Sequence, residues 1–233
     1  MKINEKWTLF LIATFVTFFG IADTLLKGTQ SLENAPVNEA FDDINFYKCV
    51  VDKYNNDNGT EYDYLSYSMT NEELATIKNL YCQTNNMVTT KGIELLTNLK
   101  YADFSWGTLT TVDVSKNKLL TELRVVDNQL TSINVNGASA LEKLLVTKNQ
   151  LSSIDVSDNL LLTSLSVSEN NLNSLDLTNN LELLELSAYD NKLTGLDLTN
   201  NLKLSSNVIK SPFKKKRKLY FLNYYNRYKY LVL

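Results

Sequence analysis

The side chains that could do chemistry are few and regularly placed. Asp113, Asp155, Asp176 and Asp197 recur at one position of a repeating unit, with Asn134 interrupting the row. Such a row can ligate calcium through carboxylate oxygens, or it can cap turns by accepting backbone hydrogen bonds. The glycine-rich nonapeptide spacing of calcium-binding β-rolls is missing, so turn capping is the expected role and no metal site is assigned. The chain has no histidine, which removes the commonest general base and the commonest ligand of catalytic transition metals. Cys49 and Cys82 are its two thiols, and they form no C-x-x-C pair. In an exported chain such a pair is expected to form a disulfide rather than a metal or redox site. There is no G-x-S-x-G elbow and no phosphate-binding loop. The reading is therefore of a protein without catalytic residues and without a required cofactor.

The elements that position these groups follow from a repeat. Five units of 21 residues run without insertion from 99 to 203, as in LTELRVVDNQLTSINVNGASA at 120–140 and LTSLSVSENNLNSLDLTNNLE at 162–182. Each follows L-x-x-L-x-V-x-x-N-x-L-x-x-L-D-V, the pattern of a leucine-rich repeat: a short strand, then an asparagine turn. Leu123 and Val125 are two residues apart, so an extended strand points both into the core, while Glu122, Arg124 and Val126 face the other way. The predicted fold is an α/β solenoid, a right-handed arc of stacked units with one parallel sheet on its concave side. Asn128, Asn149, Asn170 and Asn191 share one position, and Asn85 holds it in a diverged 22-residue unit starting at Ile77. Buried amides there are expected to bond turn backbones as a structural ladder. Gly107 takes this position in the unit at 99–119 and is expected to loosen its turn. The outward-aimed residues nominated for partner binding are Tyr101, Asp103, Trp106, Glu122, Arg124, Val126, Leu145 and Tyr189. A rival reading has Tyr101 and Trp106 merely covering the Gly107 gap.

The segments around the repeats have their own signals. MKINEK followed by the apolar run Trp7 to Ala22, with Gly20 and Ala22 at the -3 and -1 positions of a cleavage site, is laid out as a signal peptide over 1–22. An uncleaved membrane anchor is the other reading of that run. From 23 to 76 the chain reads as a linker and helical cap, with a helix over Asp43 to Tyr54 carrying Cys49 and a capping box at Thr70 and Glu73 opening a second helix. A bond from Cys49 to Cys82 would staple this cap to the stack. The Asn58-Gly59-Thr60 acceptor matters only in a eukaryotic secretory pathway. The repeat domain is placed at 77–209, its last unit partial. Residues 23–203 carry 13 basic and 25 acidic groups, whereas Lys210, Lys214, Lys215, Lys216, Arg217, Lys218, Arg227 and Lys229 crowd the end. An acidic body repels nucleic acid, so no nucleic-acid partner is expected, and wall or membrane contact is left to the tail at 210–233. That tail has three readings: a polyanion- or membrane-binding segment, an improvised cap, or the product of a shifted reading frame near residue 205.

The segments FDDINFYKCVVDKYN, TNEELATIKNLYC and KGIELLTNL, followed by turns such as LSSIDVSDN, resemble the leucine-rich-repeat regions of the internalins and related Gram-positive surface proteins. The resemblance implies a helical cap, a curved stack, protein binding on the concave face and a secreted or cell-surface location. The chain carries no LPxTG wall-sorting motif. The expectation is an exported bacterial protein, a monomer, that binds another protein in adhesion or host interaction. The alternative is a truncated, non-functional or structural fragment whose open end exposes core leucines and associates.

Overall fold

The computed structural model describes residues 38–84, 86–204 and the two short strands at 220–221 and 229–230. The predicted signal peptide, Asn85 and most of the tail lie outside the described residues.

A 3-10 turn at Asn38–Ala40 leads to helix α1, Ile44–Asn58. Asp43 is its N-cap, with one carboxylate oxygen accepting from the N–H groups of Asn45 and Phe46, and Gly59 ends it in the left-handed conformation at φ 66°. The helix therefore runs a turn beyond the predicted Tyr54. Helix α2, Asn71–Leu74, opens with the predicted capping box between Thr70 and Glu73. Phe46, Tyr47, Val50 and Val51 turn one side of α1 into the core, where the ring of Phe46 meets the edge of Phe104 at 6.0 Å. The other oxygen of Asp43 accepts from Val88 N–H at 2.7 Å, so one carboxylate both caps the helix and holds it to the first coil. Cys49 and Cys82 are disulfide-bonded across the same junction, their Cα atoms 5.9 Å apart.

The repeats wind into a solenoid. Strands β1 (Asn79–Tyr81), β2 (Tyr101–Asp103), β4 (Glu122–Arg124), β6 (Lys143–Leu145), β7 (Ser164–Ser166) and β8 (Glu185–Ser187) form one parallel sheet in that order. Register is uniform: Ala102, Leu123, Leu144 and Leu165 pair in series, and these inward residues are almost completely buried. In the first two 21-residue units, β3 (Thr111–Asp113) and β5 (Ser132–Asn134) pair as a second parallel sheet. Beyond the described stack, β9 (Tyr220–Phe221) and β10 (Lys229–Tyr230) pair antiparallel.

Between the strands, asparagine side chains satisfy the turns. Asn149 donates to the carbonyls of Val125 and Val146 at 2.7 and 3.1 Å, and its Oδ1 accepts from Leu130 N–H at 3.0 Å. Asn128, Asn170 and Asn191 bond in the same way. A second row, not anticipated from the sequence, consists of Asn117, Asn159, Asn180 and Asn201, each donating to two carbonyls of the preceding coil. Ala138 interrupts it, and there Gly137 adopts φ 92° and brings its Cα so close to Ser115 that any Cβ would lie 2.5 Å from that carbonyl oxygen. The Gly107 turn keeps the path of its neighbours instead of loosening. Its N–H reaches Asp127 O at 3.2 Å, as Asn128 N–H reaches Lys148 O, because the backbone bond between coils does not need the missing amide.

Candidate functional site

The open face of the six-stranded sheet divides into two chemical halves. At the capped end, Tyr81 on β1 lies diagonally across from Tyr101 on β2, in register with Asp103, and the two tyrosine ring centroids are 4.9 Å apart. Arg124, one strand further, lies over the Tyr101 ring at 5.9 Å. Its Nε donates to Glu122 at 2.6 Å, a bond that pushes the guanidinium pKa up and fixes the plane of the side chain. Lys143 approaches the other oxygen of Glu122 at 3.9 Å. Burial raises the Tyr101 phenol, with Arg124 opposing. The result is an aromatic pair with a cation held above it, a combination that suits flat apolar groups and acceptors together.

Asp103 departs from the expectation. It is 4% exposed and accepts from Gln83 Nε2 at 2.6 Å, from Ser105 N–H at 3.0 Å and from the Tyr101 hydroxyl at 3.5 Å. A carboxylate so engaged positions Tyr101 and Gln83 rather than meeting a partner. Tyr81 was missed, because the unit that carries it has diverged and its outward positions were not read. It is 57% exposed and stands where Asp103 stands one coil later, from where its ring reaches Tyr101.

Trp106 lies three residues beyond β2 and is 55% exposed. Its φ is 62°, and Thr84, Asp127, Lys148, Glu169 and Asp190 at the equivalent place of other coils also have φ between 52° and 57°. The turn before the asparagine is thus built left-handed in every one of these coils. Polar residues occupy it elsewhere, and each non-glycine residue there, Trp106 included, bears a backbone cost of roughly 1–2 kcal/mol. Aromatic burial does not explain its presence.

Of the other nominated residues, Leu145 lies in register beside Arg124, the Val126 carbonyl accepts from Trp106 N–H at 2.7 Å, and Tyr189 stands apart. Val126 and Leu145 are half-buried, and Tyr189 stands three coils beyond Arg124 with its hydroxyl donating to Glu169 at 3.3 Å. Between them the face is hydroxyl-rich: Thr147 and Ser166 share a bond of 2.7 Å, Ser168 and Ser187 one of 2.9 Å.

The aspartate row lies away from this face and caps turns. Asp155, Asp176 and Asp197 accept from the N–H groups of Ser157, Thr178 and Thr199 at 2.9–3.0 Å. The Ser157 N–H holds the Asp155 carboxyl below its ordinary pKa, the Thr178 hydroxyl does so for Asp176, and the Thr199 N–H for Asp197. Among the described residues no group of acidic, cysteine or histidine side chains is arranged to hold a metal ion.

Scanned against protein-family models and curated sequences, the chain finds no match. Among solved structures, the functional domain of InlJ from Listeria monocytogenes is 30% identical with a TM-score of 0.70, over 81% of this chain and 40% of that one. The chain is an internalin-like leucine-rich-repeat protein. Another internalin of that organism, InlF, is similar at 24% identity and a TM-score of 0.65, over 80% of this chain and 55% of its own. A leucine-rich-repeat protein of Leptospira interrogans shares the fold at 17% identity and a TM-score of 0.52, over 57% of this chain and 43% of that one. The internalin-like chain therefore spans about half the length of these neighbours or less. The InlJ domain is described as including a cysteine ladder; the internalin-like chain has asparagine rows and a single disulfide in its described residues. Solenoids of this kind commonly mediate protein–protein interaction through an extended sheet face.

Proposed function

We propose that this is an exported, non-enzymatic binding protein that engages another protein through the capped half of its sheet face, in adhesion or host interaction. The observation that carries the reading is Trp106, a large aromatic kept 55% exposed in a left-handed turn where the other described coils carry polar residues. The turn is left-handed whichever residue fills it, so it is the exposure of a large aromatic at an otherwise polar position that favours contact over folding. Tyr81, Tyr101 and Arg124 supply rigid hot-spot chemistry on the adjoining strands, and Glu122 keeps the arginine in place. No helix among the described residues is long and apolar enough to cross a membrane. The N-terminal run, read as a signal peptide, carries the proposal of export.

The test is a binding screen of the purified chain against arrayed extracellular proteins, repeated with Trp106→Ala and Arg124→Ala. Binding lost in both variants at unchanged melting temperature is the expected result. Partner binding retained while Trp106→Ala lowers the melting temperature would assign these residues to stability alone and sink the proposal.

A further inference from the structure

The diverged first unit breaks the repeat at two adjacent positions. Counted from the start of each unit, Thr90 takes the place that Val112, Ile133, Ile154, Leu175 and Leu196 hold in later coils. Lys91 takes the place of Asp113, Asn134 and Asp155. The backbone follows the same count, since Thr110 N–H bonds to Val88 O as Thr131 N–H bonds to Thr110 O. A threonine therefore stands at an apolar position of the coil. It is 1% exposed, and its hydroxyl has no hydrogen-bond partner among the described residues. Such a group costs stability that an aliphatic side chain in its place would not. Thr90 lines a cavity of about 560 Å³ where this unit meets β3 and β5, away from the strands of the six-stranded sheet.

The polar groups of this cavity divide into those already bonded and those left over. Asp113 accepts from Ser115 N–H at 2.9 Å with one oxygen and from the Asn134 amide at 3.1 Å with the other. Asn134 Oδ1 accepts from Asn136 N–H at 3.2 Å, and Glu94 accepts from Gly92 N–H at 2.9 Å. Lys91 is paired with Asp42. Left over are the hydroxyls of Thr90, Thr111 and Ser132, the last two in register on β3 and β5. The exposed Lys116 ammonium also forms no salt bridge among the described residues. We propose that this cavity binds an acidic sugar, a hexose-sized ring carrying one carboxylate. A sugar hydroxyl both donates and accepts, as each of the three side-chain hydroxyls does, so the buried Thr90 gains the partner the fold withholds. Lys116 supplies one compact positive charge, which matches a single carboxylate rather than the two charges of a phosphate group. The volume lies within the range of small-molecule sites and is more than a two-carbon acid fills.

Titration of the full chain with glucuronate and galacturonate, followed by backbone amide NMR, tests this, with glucose and acetate as comparison probes. Saturable shifts at Thr90, Thr111 and Ser132 are expected with a uronate at millimolar concentration, and binding about tenfold weaker with glucose or acetate. Thr90→Val is expected to weaken uronate binding about tenfold while melting no lower than the wild type, because it removes a buried hydroxyl that has no partner in the fold. Lys116→Gln, a change at an exposed residue, is expected to bring the uronate down to the level of glucose. No saturable shift with either uronate would overturn the proposal. So would glucose or acetate binding as tightly as the uronates, since then either the charge or the ring contributes nothing. Uronate binding unchanged in both Thr90→Val and Lys116→Gln would overturn it as well, by placing the sugar elsewhere.

Discussion

Trp106 sets a stability against a contact, and the two can be separated. Replacing it with glycine removes a side chain that disfavours φ 62°, so Trp106→Gly is expected to raise stability by about 0.5–1 kcal/mol in urea unfolding. The same variant is expected to lose partner binding. A destabilised Trp106→Gly protein would mean that the indole supports the fold after all. The aspartates make a prediction about pH. Their folded pKa values lie below the ordinary carboxylate value, so their stabilising bonds are complete above about pH 5 and are lost as pH falls through about 4 and below. Melting temperature should therefore decline from pH 5 to pH 3, and less steeply when Asp155, Asp176 and Asp197 are all asparagine, which keeps an acceptor for each turn without the charge. Equal slopes in both proteins would remove these carboxylates from the acid response. The row was legible in the sequence as turn caps, because an aspartate two residues before a hydrogen-bonding N–H is a local relation. Asp103 was not. Its burial depends on Gln83 and Tyr101, which come from two different coils.

At the scale of elements, the asparagine rows and the cap junction hold the stack together. Asn149 bonds to its own coil and to the preceding one, so Asn149→Ala leaves carbonyls and an N–H group buried without partners. A loss of about 2–4 kcal/mol is expected in chemical denaturation. A loss below the cost of an exposed Asn173→Ala control would deny the row its role. The disulfide closes a separation of 33 residues between α1 and the residue after β1. Removing it by paired Cys→Ser changes is expected to cost about 3–4 kcal/mol, read by the same denaturation curves with the oxidised and reduced protein side by side. These junctions were partly readable. The capping box at Thr70 and Glu73 is a spacing rule, and so is the helical spacing that sets Phe46 and Val50 together on one side of the helix. The use of the second oxygen of Asp43 to hold Val88 was hidden, because nothing local relates residues 45 positions apart.

For the whole molecule, uniform register makes the coils interchangeable. Each inward residue of one strand pairs with its counterpart in the next, from Ala102 to Leu186. Deleting residues 141–161 should therefore let β4 pair with β7 and give a shorter folded stack with a lower melting temperature. Circular dichroism of an unfolded chain would show instead that this coil is indispensable.

The sequence by itself determined the solenoid, its coil length, the inward and outward faces of the strands and the helical cap. These depend on periods of two and 21 residues and on capping rules, all of which act within a coil or between identical coils. Only the tertiary structure decided which outward residues form a cluster. The contact between the Tyr81 and Tyr101 rings, the position of Arg124 over Tyr101 and the burial of Asp103 arise where non-identical coils meet, and there no repeat pattern records the neighbour. The exposure of Leu160, Leu181 and Leu202 was likewise decided by the packed coil. A leucine at residue 181 reads like core in one dimension, and it is the filling of the coil by Leu183 that leaves it outside.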